Sequence, residues 1–266
     1  MRTNRVRGEF GVVETFDFKG RHIVITGAGG GVGRSLVAHF ATLGARVTGC
    51  DTSAEAMEGL ALDRHEIFDL ADAEATTAAA ERLCADGAPA VVVSNAGWTR
   101  AETLASTDEA ALETELAVNF RGAVTLTGRC RQAMREEGEG GAFVFVASVN
   151  ALAHFGNPAY AAAKAALLAW MRAIATEEGV HGIRANAVAP GSIRTGAWEH
   201  RLAKDPAIIQ RVAALYPLGR LVEPDEVARA VVFLASDWAE GITGVTLPVD
   251  AGLTGGNLPF LSQIDH

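Results

Sequence analysis

Tyr160 and Lys164 lie four residues apart in the alanine-rich run AYAAAKAALLAW, and Ser148 precedes the tyrosine by twelve residues. Residues i and i+4 of a helix share a face, so this spacing sets an ammonium beside a phenol. A free tyrosine has a pKa of about 10, which leaves about one phenol in a thousand ionised at pH 7. A nearby cation lowers such a pKa by about 1–3 units. The spacing therefore predicts a phenol depressed by Lys164 and able to exchange a proton with an alcohol or carbonyl. Taken alone, the same pair also fits an ordinary exposed helix face, so its meaning depends on what surrounds it.

The first surrounding feature is the glycine loop ITGAGGGVGRSLV. Gly27, Gly31 and Gly33, with Val32 among them, stand where an apolar strand gives way to a helix. Glycines there permit a tight turn and let backbone approach a pyrophosphate resting on the helix N-terminus. Asp51 ends the next strand, twenty residues after Gly31. A carboxylate at that place accepts both hydroxyls of an adenosine ribose and repels a 2′-phosphate; its other reading is a helix N-cap. Positions 52 and 53 are Thr and Ser, and position 30 is Gly, so no basic side chain is there to receive a phosphate. NAD is expected rather than NADP. Asp69 and Leu70 close a third strand, and Ser94, Asn95, Ala96 and Gly97 close a fourth. Asn119, in ELAVNFRGA, is a polar residue in apolar context and by itself reads as a buried amide satisfied by backbone.

These residues need elements to place them. Apolar β-rich runs occur at 22–27, 46–51, 66–70, 90–95, 142–148, 183–189 and 245–250, with helical patterns at 32–43, 54–60, 72–85, 108–136, 159–178 and 224–236. Continuous apolar strands alternating with helices predict a parallel sheet covered on both faces. Right-handed crossovers then make it a doubly wound α/β (Rossmann) fold of about seven strands. Residues 1–18 read as an N-terminal extension and 19–266 as one domain, with an irregular segment near 191–218 placed to cover a substrate.

Composition narrows the function further. A chain of 266 residues, 49% hydrophobic and with net charge −9, can bury a large core and has no basic patch to attract nucleic acid. Cys50, Cys84 and Cys130 are too widely spaced to suggest a metal site. No apolar run approaches a membrane span, and the arginines of the N-terminus are followed by no signal-like core. A cytoplasmic location and no metal are expected.

In this order, TGAGGGVG, Asp51, Asp69, SNAG, Asn119, Ser148, YAAAK, PGSIRT and the C-terminal stretch GRLVEPDEVARAVVFLASDWAEGITGVTLPVDAG resemble the short-chain dehydrogenase/reductase family over about residues 19–256. The resemblance implies that Tyr160 is the general acid/base and that Lys164 lowers its pKa and binds the nicotinamide ribose. Ser148 would orient the substrate oxygen, and Asn119 would hold a water joining Lys164 to solvent. It places Asn95, Ala96 and Gly97 beside the adenosine half of the cofactor and Asp69 and Leu70 at the adenine. Pro190, Gly191, Ile193 and Thr195 would lie around the nicotinamide carboxamide. It further implies a homo-oligomer, dimer or tetramer, built across the two long helices and the last strand. Three positions depart from the pattern: Ser148 stands twelve rather than thirteen residues before Tyr160, Ser94 replaces an Asn, and Asp250-Ala251-Gly252 replaces DGG.

The expected substrate is a secondary alcohol, polyol or sugar, with His154, Asn157, Trp198 and His200 as candidate pocket residues. An NADP-dependent 3-oxoacyl-carrier-protein reductase is the alternative. Asp51 counts against it, as do Glu136, Glu137 and Glu139, which would repel an acidic carrier. A non-catalytic dinucleotide-binding sensor would be expected to lack one of Asn119, Ser148, Tyr160 and Lys164, and all four are present.

Overall fold

The structure is a computed structural model that describes residues 16–264, without the side chains of residues 197 and 199–201. Its centre is a seven-stranded sheet: β1 (His22–Thr26), β2 (Arg46–Asp51), β3 (Arg64–Ile67), β4 (Val91–Ser94), β5 (Gly141–Val146), β6 (Ile183–Pro190) and β7 (Thr246–Val249). All pairings are parallel, in the order β3-β2-β1-β4-β5-β6-β7. The order reverses between β1 and β4, where a doubly wound sheet opens a crevice at the carboxyl ends of its strands.

Alternate strand residues feed opposite faces of the sheet, as the pleat requires. Ile23, Ile25, Val91, Val93 and Val144 join one core, with α1 (Gly31–Thr42) and α8 (Pro224–Ala235) laid over it. Val24, Val92, Phe143 and Phe145 join the other, beneath α2 (Ala73–Leu83), α4 (Gly122–Glu137) and α5 (Pro158–Glu177). Burying each such side chain stabilises the fold by about 1.5–3 kcal/mol.

Four expectations change. The extension was placed at 1–18, of which 1–15 lie outside the described residues; Phe18 is fully buried edge-on against Phe40, and Phe16 packs on Trp238, so both belong to the domain. The third strand is Arg64–Ile67 rather than 66–70, because its pairing with β2 ends at Asp51↔Ile67. The helix expected at 54–60 is a single 3-10 turn, Glu55–Met57. The long helix expected at 108–136 is two, α3 (Glu109–Leu116) and α4, joined by a π-helical turn, Ala117–Arg121.

Two shorter helices, α6 (Glu199–Lys204) and α7 (Ile208–Ala213), lie in the irregular segment after β6, and α9 (Leu258–Ile264) follows β7.

Candidate active site

The glycine loop turns sharply at Gly27, whose φ of +64° lies in the left-handed region where a Cβ is penalised. A Cβ on Gly27 would also stand 2.8 Å from the Ala96 Cα, so strands β1 and β4 meet here without side-chain room. At Gly33 it would overlap the Gly27 carbonyl oxygen, which is how the first turn of α1 fits under the loop. The Asn95 Nδ2 amide donates to the Thr26 and Gly27 carbonyls at 2.9 and 3.0 Å, and the Thr26 hydroxyl accepts from the Asn95 and Ala96 N–H groups. Asn95 therefore fastens β4 to the loop.

Asp51 is set by two backbone donors. Its Oδ2 accepts from the Gly29 N–H at 2.9 Å and its Oδ1 from the Thr52 N–H at 2.8 Å. The N-cap alternative does not hold, since no helix starts on it. Asp69 lies beyond β3, is exposed, and accepts from the Ala71 N–H at 2.8 Å. Leu70 is buried against Gly122 at the start of α4.

Ser148 follows β5 by two residues; its hydroxyl accepts from the Asn150 N–H at 3.2 Å, and as a neighbour of Tyr160 it favours the ionised phenol. Lys164 belongs to the buried stripe of α5, between Ala163 and Leu167, where every other member is apolar. Its Nζ donates to the Val146 carbonyl at 3.0 Å and stands 5.6 Å from the centre of the Tyr160 ring. A buried lysine among apolar neighbours is costly to keep, and burial pulls its pKa down to about 8.

Tyr160 departs from the sequence expectation. Burial pushes its phenol up to about 12, and Ser148 offsets this only in part. The reason is desolvation, which disfavours the phenolate, and the Glu115 charge adds to it, while the Lys164 Nζ stands over the ring.

Asn119 sits on the π-helical turn. Its Nδ2 donates to the Glu115 carbonyl, as an i−4 backbone N–H would, and to the Trp98 carbonyl at 2.7 Å, while its Oδ1 accepts from the Trp98 N–H. It is thus the backbone-satisfied amide its bland reading describes, and it also borders the reacting groups. A methyl on Gly97 would lie 2.9 Å from its Oδ1 and 3.2 Å from the Lys164 Nζ.

These groups surround one cavity of about 700 Å³ at the carboxyl ends of the strands. Gly27, Gly31, Val32, Asp51, Asp69, Leu70, Asn95, Ala96, Gly97, Ser148, Tyr160, Lys164, Pro190, Gly191, Ile193 and Thr195 all line it. Gly33 and Asn119 stand just behind its wall.

The family model described as "Enoyl-(Acyl carrier protein) reductase" matches residues 27–254. A crystal structure of a short-chain dehydrogenase/reductase oxidoreductase from Burkholderia thailandensis is 37% identical, with a TM-score of 0.86 over 93% of this chain and 98% of that one. The chain belongs to the short-chain dehydrogenase/reductase family. The D-threitol dehydrogenase of Mycolicibacterium smegmatis is 37% identical, covering 90% of this chain and 95% of that protein. The mouse (3R)-3-hydroxyacyl-CoA dehydrogenase is 33% identical, covering 86% and 95%. A short-chain dehydrogenase/reductase binds a nicotinamide dinucleotide, and these relatives are oxidoreductases acting at CH–OH groups.

Within this family frame, the cavity also contains residues that sequence reasoning missed: Thr26, Gly29, Thr52, Phe68, Trp98 and Val118. For Gly29 the signal was available, since it is one of three consecutive glycines and packs on the Ala56 carbonyl. Trp98 had none, because its place comes from the two hydrogen bonds to Asn119.

Other sequence expectations do not hold. His154 and Asn157 do not line the cavity. His154 is exposed, and Asn157 precedes α5 with φ +50°, its Oδ1 accepting from the Glu102 N–H. Trp198 turns away into a small core with Tyr216 and Leu221, donating its indole N–H to the Ile193 carbonyl at 2.8 Å. The side chain of His200 lies outside the described residues. Glu136, Glu137 and Glu139 lie at the amino end of β5, across the sheet from the cavity, so they cannot repel a carrier docked at it.

Proposed function

We propose that this protein is an NAD-linked dehydrogenase of a secondary alcohol, polyol or sugar, with Tyr160 as general acid/base. The observation that carries the reading is the convergence of Ser148, Tyr160 and Lys164 on one cavity wall, with Asn119 directly behind. Ser148 holds the substrate hydroxyl against Tyr160, whose phenolate takes the hydroxyl proton as the carbon's hydride is lost; Lys164 binds the nicotinamide ribose and its ammonium stabilises that phenolate, and the phenol so formed releases its proton toward a water held at Asn119. Bound NAD would supply the hydride acceptor and, at its nicotinamide ring, a positive charge that favours the phenolate.

The chain's own residues fit that cofactor. Gly27 and Gly31 leave the loop bare, and Asp51 presents a carboxylate where an adenosine ribose would lie. Lys164 is the one cation among the described cavity residues. Arg34, close by, commits its guanidinium to the Gly29, Ala56 and Glu58 carbonyls. This supports NAD over a 2′-phosphorylated dinucleotide.

A cytoplasmic homotetramer is part of this reading. No described helix is long and apolar enough to cross a membrane, and the outer strand β7, with Val245 and Leu247 more than a third exposed, supports a subunit contact there. The segment 191–218 would act as the substrate lid, resting on its own core of Trp198 and Tyr216.

The test pairs two measurements. Tyr160→Phe is expected to lower NAD-linked oxidation of threitol, galactitol or rhamnose by at least about a hundredfold, and unchanged turnover would end the catalytic reading. NAD is expected to raise the melting temperature where NADP does not; selective stabilisation by NADP would reverse the Asp51 argument. A hydroxyacyl thioester is the second reading, favoured by the 3-hydroxyacyl-CoA dehydrogenase relatives and by the half-exposed Trp98 on the cavity wall. Preferred oxidation of 3-hydroxybutyryl-CoA over the polyols would select it.

A further inference from the structure

Glu115 is fully buried on α3, four residues before Asn119, and has no place in the chemistry so far assigned. Its Oε2 accepts from the Asn119 Nδ2 at 2.7 Å, and its Oε1 from the Arg100 backbone N–H at 3.3 Å. No Lys, Arg or His side-chain nitrogen of the described residues comes within 4.0 Å of its carboxylate. A carboxylate held this way is costly to desolvate and is not compensated by a direct ion pair.

On the other side of Asn119 stands Lys164. The Asn119 Oδ1 and the Lys164 Nζ face the same point above Gly97, while the Asn119 Nδ2 faces Glu115. Carboxylate, amide and ammonium thus form a row, and among the described residues the direct hydrogen-bond acceptor of Lys164 is the neutral Val146 carbonyl.

The charges around Glu115 come from two elements. Lys164 and Tyr160 face it from α5, and Glu102 and Arg100 from the loop before α3. The Arg100 guanidinium is turned to Glu102 at 3.8 Å and Asp108 at 3.5 Å. Burial raises the Glu115 carboxyl, Glu102 adds to that, and Lys164 opposes it. In return Glu115 raises Lys164 and Tyr160.

We propose that Glu115 is a positioning residue of this active site: it fixes the Asn119 amide and supplies the buried negative charge that keeps Lys164 an ammonium. The inference rests on reading Tyr160 and Lys164 as the acid–base pair.

The test reads Lys164 without needing a substrate. Cyanate carbamoylates a free amine, which adds across the C=N bond of isocyanic acid with no leaving group. The chain has three lysines, so peptide mass spectrometry resolves Lys164 while Lys19 and Lys204 serve as internal controls. Glu115→Gln keeps an acceptor for Asn119 and removes the charge. It is expected to lower the pH of half-maximal Lys164 carbamoylation by about 1 unit, with the two controls and the circular dichroism unchanged. Glu115→Asp, with the charge drawn back by one methylene, is expected to fall between. Coincidence of the Lys164 profiles in wild type and Glu115→Gln overturns the proposal. If the glutamine variant does not fold, coincidence of wild type and Glu115→Asp does so. Retained activity in Tyr160→Phe would instead sink the dehydrogenase reading and leave this titration intact.

Discussion

Gly97 shows how little space separates Asn119 from Lys164, the groups proposed to carry the chemistry. A Cβ there would meet the Asn119 Oδ1 at 2.9 Å and the Lys164 Nζ at 3.2 Å, and neither is a free side-chain end: one is bonded to Trp98, the other to Val146. Gly97→Ala is therefore expected to displace the lysine and lower kcat by about tenfold to a hundredfold, since a shift of about 1 Å in a reacting group costs that much. The NAD dissociation constant, measured by fluorescence titration, should change far less; a loss confined to NAD affinity would contradict the placement. At this scale most of the residues expected in the site do line one cavity, read partly from helix spacing and strand ends and partly from the family resemblance. Their energetics were not legible. The expected depression of Tyr160 is a rise to about 12, since desolvation appears only once the folded chain closes around the phenol. Trp98 was equally hidden, because only the folded chain reveals its hydrogen bonds to Asn119.

Strands and crossover helices were readable as apolar runs and alanine-rich stretches, whereas two of the misplaced boundaries, at β3 and between α3 and α4, fall where side-chain hydrogen bonds redirect the backbone. The helix expected over 108–136 breaks because the Asn119 amide takes the Glu115 carbonyl, a side-chain competitor that periodicity cannot show. The same turn brings Asn119 to the cavity, so the interruption is what places the residue. β3 stops early because Asp69 and Asp72 turn the chain into α2. The corner after β7 offers a test at this level. Ala251 adopts φ +50°, held there by Asp250, whose carboxylate accepts from the Gly252 and Thr254 N–H groups at 3.0 and 2.8 Å. The left-handed conformation costs a residue with a Cβ about 1–2 kcal/mol. The Ala251 methyl is half-buried between two apolar clusters and returns at most about 0.8 kcal/mol. Ala251→Gly is thus expected to stabilise the protein by about 0.5 kcal/mol, read as a higher urea midpoint at unchanged m-value; a lower midpoint would show that packing outweighs the strain.

At the scale of the whole molecule, an active site built on a buried lysine leaves its mark on stability. Lys164 has a pKa of about 8 in the fold, pulled down by burial from the ordinary lysine value of 10.5. Below about pH 8 it is charged in both states, and the folded state bears the full cost of burying an ammonium. Between the two values the unfolded chain binds more protons than the folded one, so stability rises with pH across that window and levels off above it. Tyr160 acts in the opposite sense at higher pH: its folded value of about 12 exceeds the ordinary tyrosine value of 10.0, so above pH 10 the folded state holds the extra proton and stability falls. The buried Cys50 thiol, raised by desolvation, also falls on that side. Lys164 must therefore be isolated by difference. Wild type and Lys164→Met, whose thioether fills similar space without charge, are compared by chemical denaturation from pH 7 to 10. The variant is expected to be the more stable protein at pH 7, with the advantage shrinking steadily above pH 8. A difference constant across that range would mean that Lys164 does not change protonation there. The sheet, its two cores and the cavity would then tolerate a permanent ammonium, and the proton path from Tyr160 would have to bypass it.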